Sequence, residues 1–429
     1  MRVVLIAALI VVVSLKTQSG ATEVRRGGSD KREAYVTLLY GDNLLSVRVL
    51  GLSLKLTGTW REMVVLCTDV VSTENHKILE GDGWTVKSIK TTYRLYKNYL
   101  ERYKHYAKLT VWTLTEYRRI VYLDSDTVVY ANIDELFHCG KFCAAYWHSD
   151  LFNGGVLVVK PDVLEYRKLI SMVGTYPSYD GGQFLNYYYH SLLFAPMFNA
   201  SKPDDQEEPM RLPAGYNFDV GQYYVYADHT TRFKVLHHTL GSVKPWKWWT
   251  YPFFDLNWYW VELRDHLQPS TDSPMGGFLT VAVNFLLVAI ITGLSYCQIM
   301  RPTWFCILKH DSFAFSMIVA LIFPLSCILG FCSVPGSMHP YYAIASFCLW
   351  TIFFMDIFVN CVYIFTSTSE VYEFPLPFGV NLICVLLFMS LVVPLFIPSI
   401  LTRLYVFLIL ILLCFVSSHH VIERCLALS

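Results

Sequence analysis

The C-terminal third of the chain is almost free of charge, and this feature constrains the fold more than any other. Pro274 to Ser429 holds four basic and five acidic residues, whereas the other 59 of the 34 basic and 34 acidic residues precede Pro274. A backbone group left unpaired in lipid is costly, so long apolar stretches of this kind form membrane-spanning helices. The sequence therefore predicts a polar globular part followed by a membrane part.

Residues 274–418 are predicted to form a membrane domain with about five transmembrane helices, and residues 419–429 a tail. The last apolar stretch is short, and a re-entrant segment is its alternative. If the globular part is luminal, the Arg301–Lys309 loop is cytosolic, as the positive-inside rule favours, but Arg403 falls on the luminal side. The five stretches are Met275–Met300, Phe313–Val334, Tyr341–Thr366, Pro375–Ser399 and Leu404–Ser418.

The N-terminus is typical of a secretory signal peptide over residues 1–21. Arg2 provides a basic start, Val3–Leu15 is apolar, and Ser19–Ala21 offers a small-residue cleavage region. The alternative is an uncleaved anchor, although its apolar stretch is shorter than the roughly 20 residues that a span needs. Either interpretation directs the following domain into the lumen.

Within this predicted luminal domain, strand-like and helix-like segments alternate. Such alternation predicts an α/β fold with a largely parallel sheet and helices on both faces. Helices are predicted from Asn43 as N-cap, over Ser72–Glu80 and around Tyr106–Tyr117. The predicted strands are Tyr35–Tyr40, Met63–Cys67, Trp84–Ile89 and Ile120–Leu123.

Cysteine usage also separates the two parts, because nine of the twelve cysteines follow Pro274. Cys139 and Cys143 are placed to form a local disulfide in an oxidising compartment. Two thiols alone are too few for a zinc site. Asn199 begins a glycosylation sequon just before Lys202–Pro209, a charged loop bounded by prolines.

The central chemical signal is Asp124-Ser125-Asp126, directly after the apolar strand Ile120–Leu123. In open α/β sheets, ligands bind beyond the carboxyl ends of strands. Two carboxylates at i and i+2 can turn toward one point and hold a hard divalent cation, which in turn holds phosphates. Taken alone, the same pattern is also common in surface turns.

Three further motifs follow in order. Asn153-Gly154-Gly155 precedes an apolar strand, and its glycines admit a close ligand or form a hairpin turn. Asp180-Gly181-Gly182-Gln183 precedes an aromatic run and would by itself indicate a helix start. In the string from His238 to Trp246, an imidazole can complete a metal shell, Gly241 admits a diphosphate, and Lys244 neutralises it.

Together these motifs resemble the glycogenin-type family (family 8) of glycosyltransferases. The resemblance covers about Ala34 to Trp249, and the multi-span tail resembles the plant inositol phosphorylceramide glucuronosyltransferases, a membrane branch of that family. The motifs that carry it are Leu123-Asp-Ser-Asp-Thr127, Asn132-Ile-Asp-Glu-Leu-Phe137, Phe152-Asn-Gly-Gly-Val156 and His238–Trp246.

The resemblance implies a GT-A-like, nucleotide-sugar-binding domain over residues 34–249, in a Golgi or endoplasmic reticulum membrane. It implies a retaining transferase that uses a UDP-sugar and Mn²⁺. Metal ligands would be Asp124, Asp126 and His238, and catalytic residues Asp180 and Lys244. Donor-binding positions would be Leu38, Tyr40, Lys108, Ser125, Asn153, Gly154, Gly181, Gln183, Gly241 and Lys244.

The sequence also departs from the family string Asp-Gly-Gly-Asp-Gln-Gly, because Gln183 follows Gly182 directly. Two residues are missing, including one aspartate, so either donor preference has shifted or activity is reduced. One alternative function is therefore an inactive transferase fold kept for binding or scaffolding. A transporter is a weaker alternative, since only Asp356 places a charge inside a predicted span. The zero net charge does not support a nucleic-acid partner.

An aromatic segment, residues 250–273, is predicted to lie at the membrane interface. Five of the eleven tryptophans fall between Trp246 and Trp260, and Trp and Tyr favour the membrane–water boundary. This placement predicts a lipid-linked or glycolipid acceptor, and the resemblance points to inositol phosphorylceramide with glucuronate or glucose as the sugar. The alternative is that the stretch packs the catalytic domain onto its membrane helices.

Overall fold

The computed structural model describes residues 32–41, 43–89, 104–146, 150–173, 181–201, 207–226, 228–241, 243–267, 282–283, 286, 313–366 and 400–427. The predicted signal peptide, Asp180, the span Pro375–Ser399 and nearly all of the span Met275–Met300 lie outside these residues. The account below concerns the described residues.

A seven-stranded sheet forms the centre of the N-terminal part, in the order β3-β2-β1-β4-β7-β6-β8. The strands are β1 Arg32–Leu39, β2 Glu62–Thr68, β3 Thr85–Ile89, β4 Tyr117–Leu123, β6 Phe142–Tyr146, β7 Phe152–Val159 and β8 Met210–Leu212. Every strand predicted from the sequence is present, within a few residues of its expected ends.

The sheet is mixed rather than largely parallel. β1 pairs with β2 and β2 with β3 in parallel, as predicted, and β8 is parallel to β6. β7, however, is antiparallel to both β4 and β6. Only five residues join β6 to β7, and so short a connection allows an antiparallel pair but not a parallel crossover.

Alternate residues along the strands enter two separate cores, one on each face of the sheet. In β2, Met63, Val65 and Cys67 join one buried cluster, whereas Val64 and Leu66 join the other. Since side chains in a strand alternate between faces, a sheet buried on both sides consists of consecutive apolar residues. The predicted layers on both faces are therefore present.

The helices of this part are α1 Leu44–Leu56, α2 Thr73–Gly81, α3 Val163–Met172, α4 Gly181–Tyr188, α5 Val220–Val225 and α6 Leu256–His266. α1 begins after Asn43, although the Asn43 side chain makes no capping hydrogen bond. At α2, Ser72 Oγ accepts from the Asn75 backbone N–H at 3.2 Å, which is the usual way to satisfy a free donor at a helix start.

The helix predicted around Tyr106–Tyr117 is present, but it is a 3₁₀ helix that ends at Thr113. This 3₁₀ segment spans Lys104–Thr113, and β4 begins at Tyr117. Val111 and Thr113 are β-branched, which disfavours the α-helix. Leu109, Val111 and Trp112 are all buried, so this segment lies against the sheet with most of its surface covered.

A second, three-stranded sheet positions the site. It consists of β5 Thr127–Val129, β10 Val235–His237 and β9 Phe218–Asp219, with β10 in the centre. β10 is antiparallel to β5 and parallel to β9, so that His237 lies opposite both Thr127 and Asp219. Because β5 follows β4 after three residues, this small sheet meets the main sheet at the carboxyl end of β4.

The predicted Cys139–Cys143 disulfide is present. It follows the short 3₁₀ turn Asp134–His138, and Arg119, buried beneath it, donates to the Cys139 carbonyl at 3.1 Å. Asn199 is exposed, as glycosylation of the sequon would require, and the modification itself stays a prediction.

Three long apolar helices follow: α7 Phe313–Cys332, α8 Pro340–Thr366 and α9 Ile400–Ala427. They coincide with three of the five predicted spans. Among the described residues, one window, Thr402–His419, is long and apolar enough to cross a membrane, and Ala320–Cys332 and Pro340–Met355 are shorter apolar helices. A multi-span membrane domain stays a prediction.

Residues Trp246–His266, which we call the docking segment, connect the N-terminal α/β part to these helices through packing and hydrogen bonds. The Trp248 ring packs on Phe331 of α7 and Phe347 of α8, with centroids 5.5 and 5.6 Å away. Polar contacts go to the α7–α8 turn, where the Trp248 backbone N–H donates to Gly336 O at 3.2 Å and Arg264 donates to Ser337 O at 3.0 Å. Trp248 is buried in this interface, and the placement of the aromatic segment at a membrane surface stays a prediction.

Candidate metal and donor site

A tight turn at the end of β4 turns two aspartates toward one point. The Asp124 backbone N–H donates to Gly155 O at 2.8 Å, and the Asp124 carbonyl accepts from Thr127 N–H at 3.0 Å and from Thr127 Oγ1 at 2.8 Å. The side chains of Asp124 and Asp126 are 27% and 19% exposed. Both carboxylates are therefore held by the backbone yet still reach solvent.

His237 completes a three-residue cluster with these carboxylates. Ligand atoms of Asp124, Asp126 and His237 all lie within 4.8 Å of one another, and His237 Nε2 is 3.2 Å from Asp126 Oδ1. Two carboxylate oxygens and one imidazole nitrogen form a donor set that suits a divalent ion such as Mn²⁺. The residues present thus fit the metal that the sequence predicts.

A buried asparagine orients the His237 ring. Asn217 Oδ1 lies 3.0 Å from His237 Nδ1, and Asn217 Nδ2 donates to Asn153 Oδ1 at 3.0 Å. With Nδ1 directed at Asn217, the His237 ring turns Nε2 toward the carboxylates, where its lone pair would be available to a metal ion. Such an outer hydrogen bond is how proteins usually orient a metal-binding histidine.

His238, the histidine predicted as a ligand, lies next to this cluster but is not part of it. Its backbone N–H donates to Asp126 O at 3.0 Å. Its ring is buried, and within the described residues neither ring nitrogen makes a hydrogen bond. Burial lowers the pKa of His238 to about 3, against an opposing effect of the Asp126 charge, so the ring is neutral. Its metal role stays a prediction.

Two lysines flank the carboxylates from opposite sides. Lys108 Nζ lies 3.2 Å from Asp124 Oδ1 and 3.3 Å from Gly154 O. Lys244 Nζ lies 2.7 Å from Asp126 Oδ2 and 2.5 Å from His238 O. The cluster therefore carries two ammonium groups for two carboxylates, which suits a site that receives a further anion.

The electrostatics of the pocket keep Asp126 ionised and Tyr122 protonated. Burial alone raises the pKa of Asp126, but charge and hydrogen bonds from His237 and then Lys244 outweigh it and hold that pKa well below its usual range. Tyr122 donates to Asp124 Oδ1 at 2.7 Å. Burial, followed by the Asp124 charge, raises the pKa of Tyr122 well above its usual value, so the phenol stays a donor.

The structure thus brings together Lys108, Asp124, Ser125, Asp126, Asn153, Gly154 and Lys244 of the predicted site residues. Leu38 and Tyr40 lie at the carboxyl end of β1, Gly181 and Gln183 at the start of α4, and Gly241 in an exposed turn before Lys244. Donor roles for these five residues stay predictions, and Asp180 lies outside the described residues.

Three further site residues, Tyr122, Asn217 and His237, are not predicted from the sequence. Tyr122 carries a usable signal, because it lies two residues before Asp124, on the strand face that leads to the site. His237 is half of a histidine pair at a strand end, so the sequence alone cannot say which ring faces the carboxylates. Asn217 carries no signal, because its partners lie 64 and 20 residues away.

Comparison with known proteins places this site in a family, although no family model matches the chain. Inositol phosphorylceramide glucuronosyltransferase 1 of Arabidopsis thaliana is 37% identical over 287 residues, which cover 63% of this chain but only 53% of that protein. Glycogenin-1 of Oryctolagus cuniculus is 34% identical over 292 residues, which cover 65% of this chain and 82% of the relative.

Among solved structures, the galactosyltransferase LgtC in complex with donor and acceptor sugar analogues aligns with a TM-score of 0.41 and 16% identity, over 55% of this chain and 97% of that one. Sequence identity to a glycogenin over more than four-fifths of its length decides the relationship: the chain belongs to the glycogenin-type family (family 8) of glycosyltransferases.

Proposed function

We propose that this chain is a metal-dependent, retaining glycosyltransferase that moves a sugar from a UDP-sugar to an acceptor at the membrane. The observation that carries the proposal is the convergence of Asp124, Asp126 and His237 between Lys108 and Lys244. A cation site beside two ammonium groups suits a diphosphate, and the family indicates the class of reaction.

Asp124, Asp126 and a histidine, His237 or His238, would hold Mn²⁺. When bound, the ion supplies positive charge for the donor diphosphate. The remaining chemistry depends on the chain's own residues, whose ion pairs set where each charge lies.

Lys244 is assigned to the leaving group. When the bond between the sugar carbon and the phosphate oxygen breaks, negative charge grows on the departing UDP. Lys244 Nζ is held at the edge of the cluster by Asp126 and by the His238 carbonyl, so its positive charge is in place before the reaction begins. A charge organised in advance in a partly buried site stabilises the transition state more than one recruited from water.

The sugar itself is assigned to Asn153 and Asp180. Asn153 Oδ1 accepts from the Gly155 backbone N–H at 2.7 Å and from Asn217 at 3.0 Å, which sets the orientation of the amide. Its Nδ2 group is then the part that we assign to a sugar hydroxyl. Glucuronate and glucose are the two candidate sugars.

The proposed acceptor is inositol phosphorylceramide or a related glycolipid in a Golgi or endoplasmic reticulum membrane. Two observations support it: the similarity to the Arabidopsis inositol phosphorylceramide glucuronosyltransferase, and the continuity of Lys244 with a docking segment that contacts apolar helices. A donor site built on that segment lies close to the membrane surface, which favours a headgroup at the same depth.

The directions of α8 and α9 support a multi-span arrangement, in which we propose that the catalytic domain lies in the lumen. The α7–α8 turn and the start of α9 both contact the docking segment, so α8 and α9 both run away from the catalytic domain. At 27 and 28 residues and 1.5 Å per residue, each extends about 40 Å, enough to cross a bilayer. The proposed topology puts the end of α9 and the Arg301–Lys309 loop in the cytosol.

A donor and acceptor panel tests this function. Purified full-length protein in liposomes would receive Mn²⁺ and each of several UDP-sugars, with release of UDP as the readout. We expect release with UDP-glucuronate or UDP-glucose, stimulated by inositol phosphorylceramide and lost in Asp124→Asn. Faster transfer to water-soluble sugars or protein tyrosines would refute the lipid acceptor, and binding of UDP without any release would favour the scaffold alternative.

A further inference from the structure

Arg403 is a buried charge at the first turn of α9. Its side chain is 3% exposed, and Nη1 donates to Phe253 O at 2.8 Å and to Asp255 Oδ1 at 3.2 Å. Its guanidinium also lies 5.3 Å from the centre of the Trp258 ring. An arginine at the end of a membrane helix is costly unless it is paired, so these contacts couple α9 to the docking segment.

Phe253 and Asp255 belong to a run of turns that starts at Lys244. The Lys247 N–H donates to Lys244 O at 3.0 Å, the Thr250 N–H to Lys247 O at 3.0 Å, and the Phe253 N–H to Thr250 O at 3.1 Å. Consecutive turns closed in this way transmit a displacement at one end to the other, because none of them can open without losing a hydrogen bond.

Buried side chains reinforce the same run. Thr250 Oγ1 donates to Lys247 O at 2.8 Å and accepts from Asn257 Nδ2 at 2.9 Å. Thr250 and Asn257 are both buried. Asn257 lies in the first turn of α6, directly after the Asp255 that Arg403 binds. The start of α6 is therefore fixed to the backbone near Lys244.

A second contact joins α9 to the docking segment. The Phe253 ring meets Phe407, one turn further along α9, edge to face with centroids 5.0 Å apart. Tyr224 adds a third tie, since its hydroxyl donates to Asp255 Oδ1 at 3.1 Å and accepts from the Leu256 N–H at 2.8 Å. The position of Asp255 is thus set jointly by α9 and by the catalytic domain.

We propose that Arg403 is a positioning residue for Lys244, through which α9 sets where the diphosphate-binding ammonium lies relative to Asp126. This inference rests on the proposed function, because it takes Lys244 as the group that meets a nucleoside diphosphate. A misplacement of about 1 Å at a reacting group can cost on the order of 100-fold in rate. Arg403 would therefore influence catalysis without touching the substrate.

The test uses full-length protein in liposomes, with UDP release from the donor as the activity and calorimetric binding of UDP with Mn²⁺ as a second readout. Arg403→Met keeps the length of the side chain and removes its charge and donors. We expect it to lower kcat by about tenfold or more and to weaken UDP binding, and Arg403→Lys to recover part of both. Leu408→Ala, an exposed position on the same helix, is the matched control and should change neither.

Double variants separate positioning from general stability. If Arg403 acts through Lys244, Arg403→Met should cost much less in a Lys244→Ala background than in the wild type, because coupled residues are not additive. Full additivity, or unchanged kcat and UDP affinity in Arg403→Met, would overturn the inference. Should Arg403→Met fail to fold, Asp255→Asn with Arg403→Lys poses the same question. A wild type that neither binds UDP nor releases it would instead overturn the proposed function.

Discussion

The two halves of the candidate site contain the same pair of charges but are supported in different ways. In the first half, Lys108 of the 3₁₀ segment packed on the main sheet pairs with Asp124, which directly follows β4 of that sheet. In the second half, Lys244 pairs with Asp126 beside a small sheet whose strands are two or three residues long. Strands that short are not stable alone, so the second half depends on what packs around it.

That difference predicts which half of the site should respond to substitutions far away in the sequence. The first half is supported by the apolar core next to it, including the buried Leu109 and Trp112. The second half is supported by the docking segment and, through Arg403, by α9. Substitutions far away in sequence should therefore affect Lys244 and spare Lys108.

The largest effect is expected for Asp126→Asn. This carboxylate is a predicted metal ligand and also the partner of both His237 and Lys244, so its loss should lower kcat/KM by more than about 1,000-fold, beyond the loss of a single electrostatic contact. Asp124→Asn removes the other predicted ligand together with the partner of Lys108 and Tyr122, so UDP release should be lost there as well. The measurement is UDP release across a manganese titration, with circular dichroism to check folding. Wild-type turnover in Asp126→Asn would end the proposal of a metal site.

Lys244→Ala should come next, with a loss of about 2–4 kcal/mol of transition-state stabilisation. The loss should appear mainly in kcat, because the charge that Lys244 meets grows as the bond breaks. Lys108→Ala is the matched variant of the other half. In the double variant Lys108→Ala with Arg403→Met, the loss in kcat should equal the product of the two single losses. In Lys244→Ala with Arg403→Met, the loss should be smaller than that product. A raised KM with unchanged kcat in Lys244→Ala would instead indicate that Lys244 binds the substrate and the transition state equally strongly.

Gly155→Ala should weaken metal affinity by about 10–100-fold, as loss of an outer-shell orientation does. A β-carbon at Gly155 would clash with the His237 ring, whereas one at Gly154 would meet only Lys108 Nζ at 3.6 Å, an ordinary contact. Gly154→Ala is therefore the control. Electron paramagnetic resonance of bound manganese measures the metal affinity of each variant. Equal affinities of Gly155→Ala and Gly154→Ala would mean that His237 does not hold the ion.

Asn217→Leu should reduce metal affinity by about tenfold, at the lower end of that range. It removes the acceptor that orients His237 Nδ1 while keeping a side chain of similar size. Because Asn217 orients the His237 ring, the same variant distinguishes the two histidines. Manganese affinity that is unchanged in Asn217→Leu but lost in His238→Ala would assign the ligand to His238.

The smallest effect on activity is expected for Asn199→Gln, which lies outside both halves. If the domain is luminal and the exposed sequon is used, the variant should lose the glycan and migrate faster on a gel, with unchanged UDP release. Protease digestion of intact microsomes provides the second measurement. Degradation of the domain from the outside would show that the proposed topology is wrong.

Much of the fold can be predicted from local sequence patterns. The continuous apolar runs of β1 and β2, the cap at Ser72, the Cys139–Cys143 spacing and the position of Asp124-Ser-Asp126 after a strand all depend on neighbouring residues. Each is a short-range property, because strand periodicity, capping and turn chemistry operate over a few residues. The uneven distribution of charge likewise predicts which part is apolar.

Other features of the site depend on which distant residues meet. Lys244 and Asp126 are 118 residues apart, and Arg403 and Phe253 are 150 apart. Which histidine faces the carboxylates depends on the register of β10 against β5 and β9, because a one-residue shift turns every side chain to the other face. The sequence by itself therefore determined the ligand types and their place at a strand end. Only the tertiary structure decided that His237 joins them, and that a helix beyond residue 400 supports the lysine beside them.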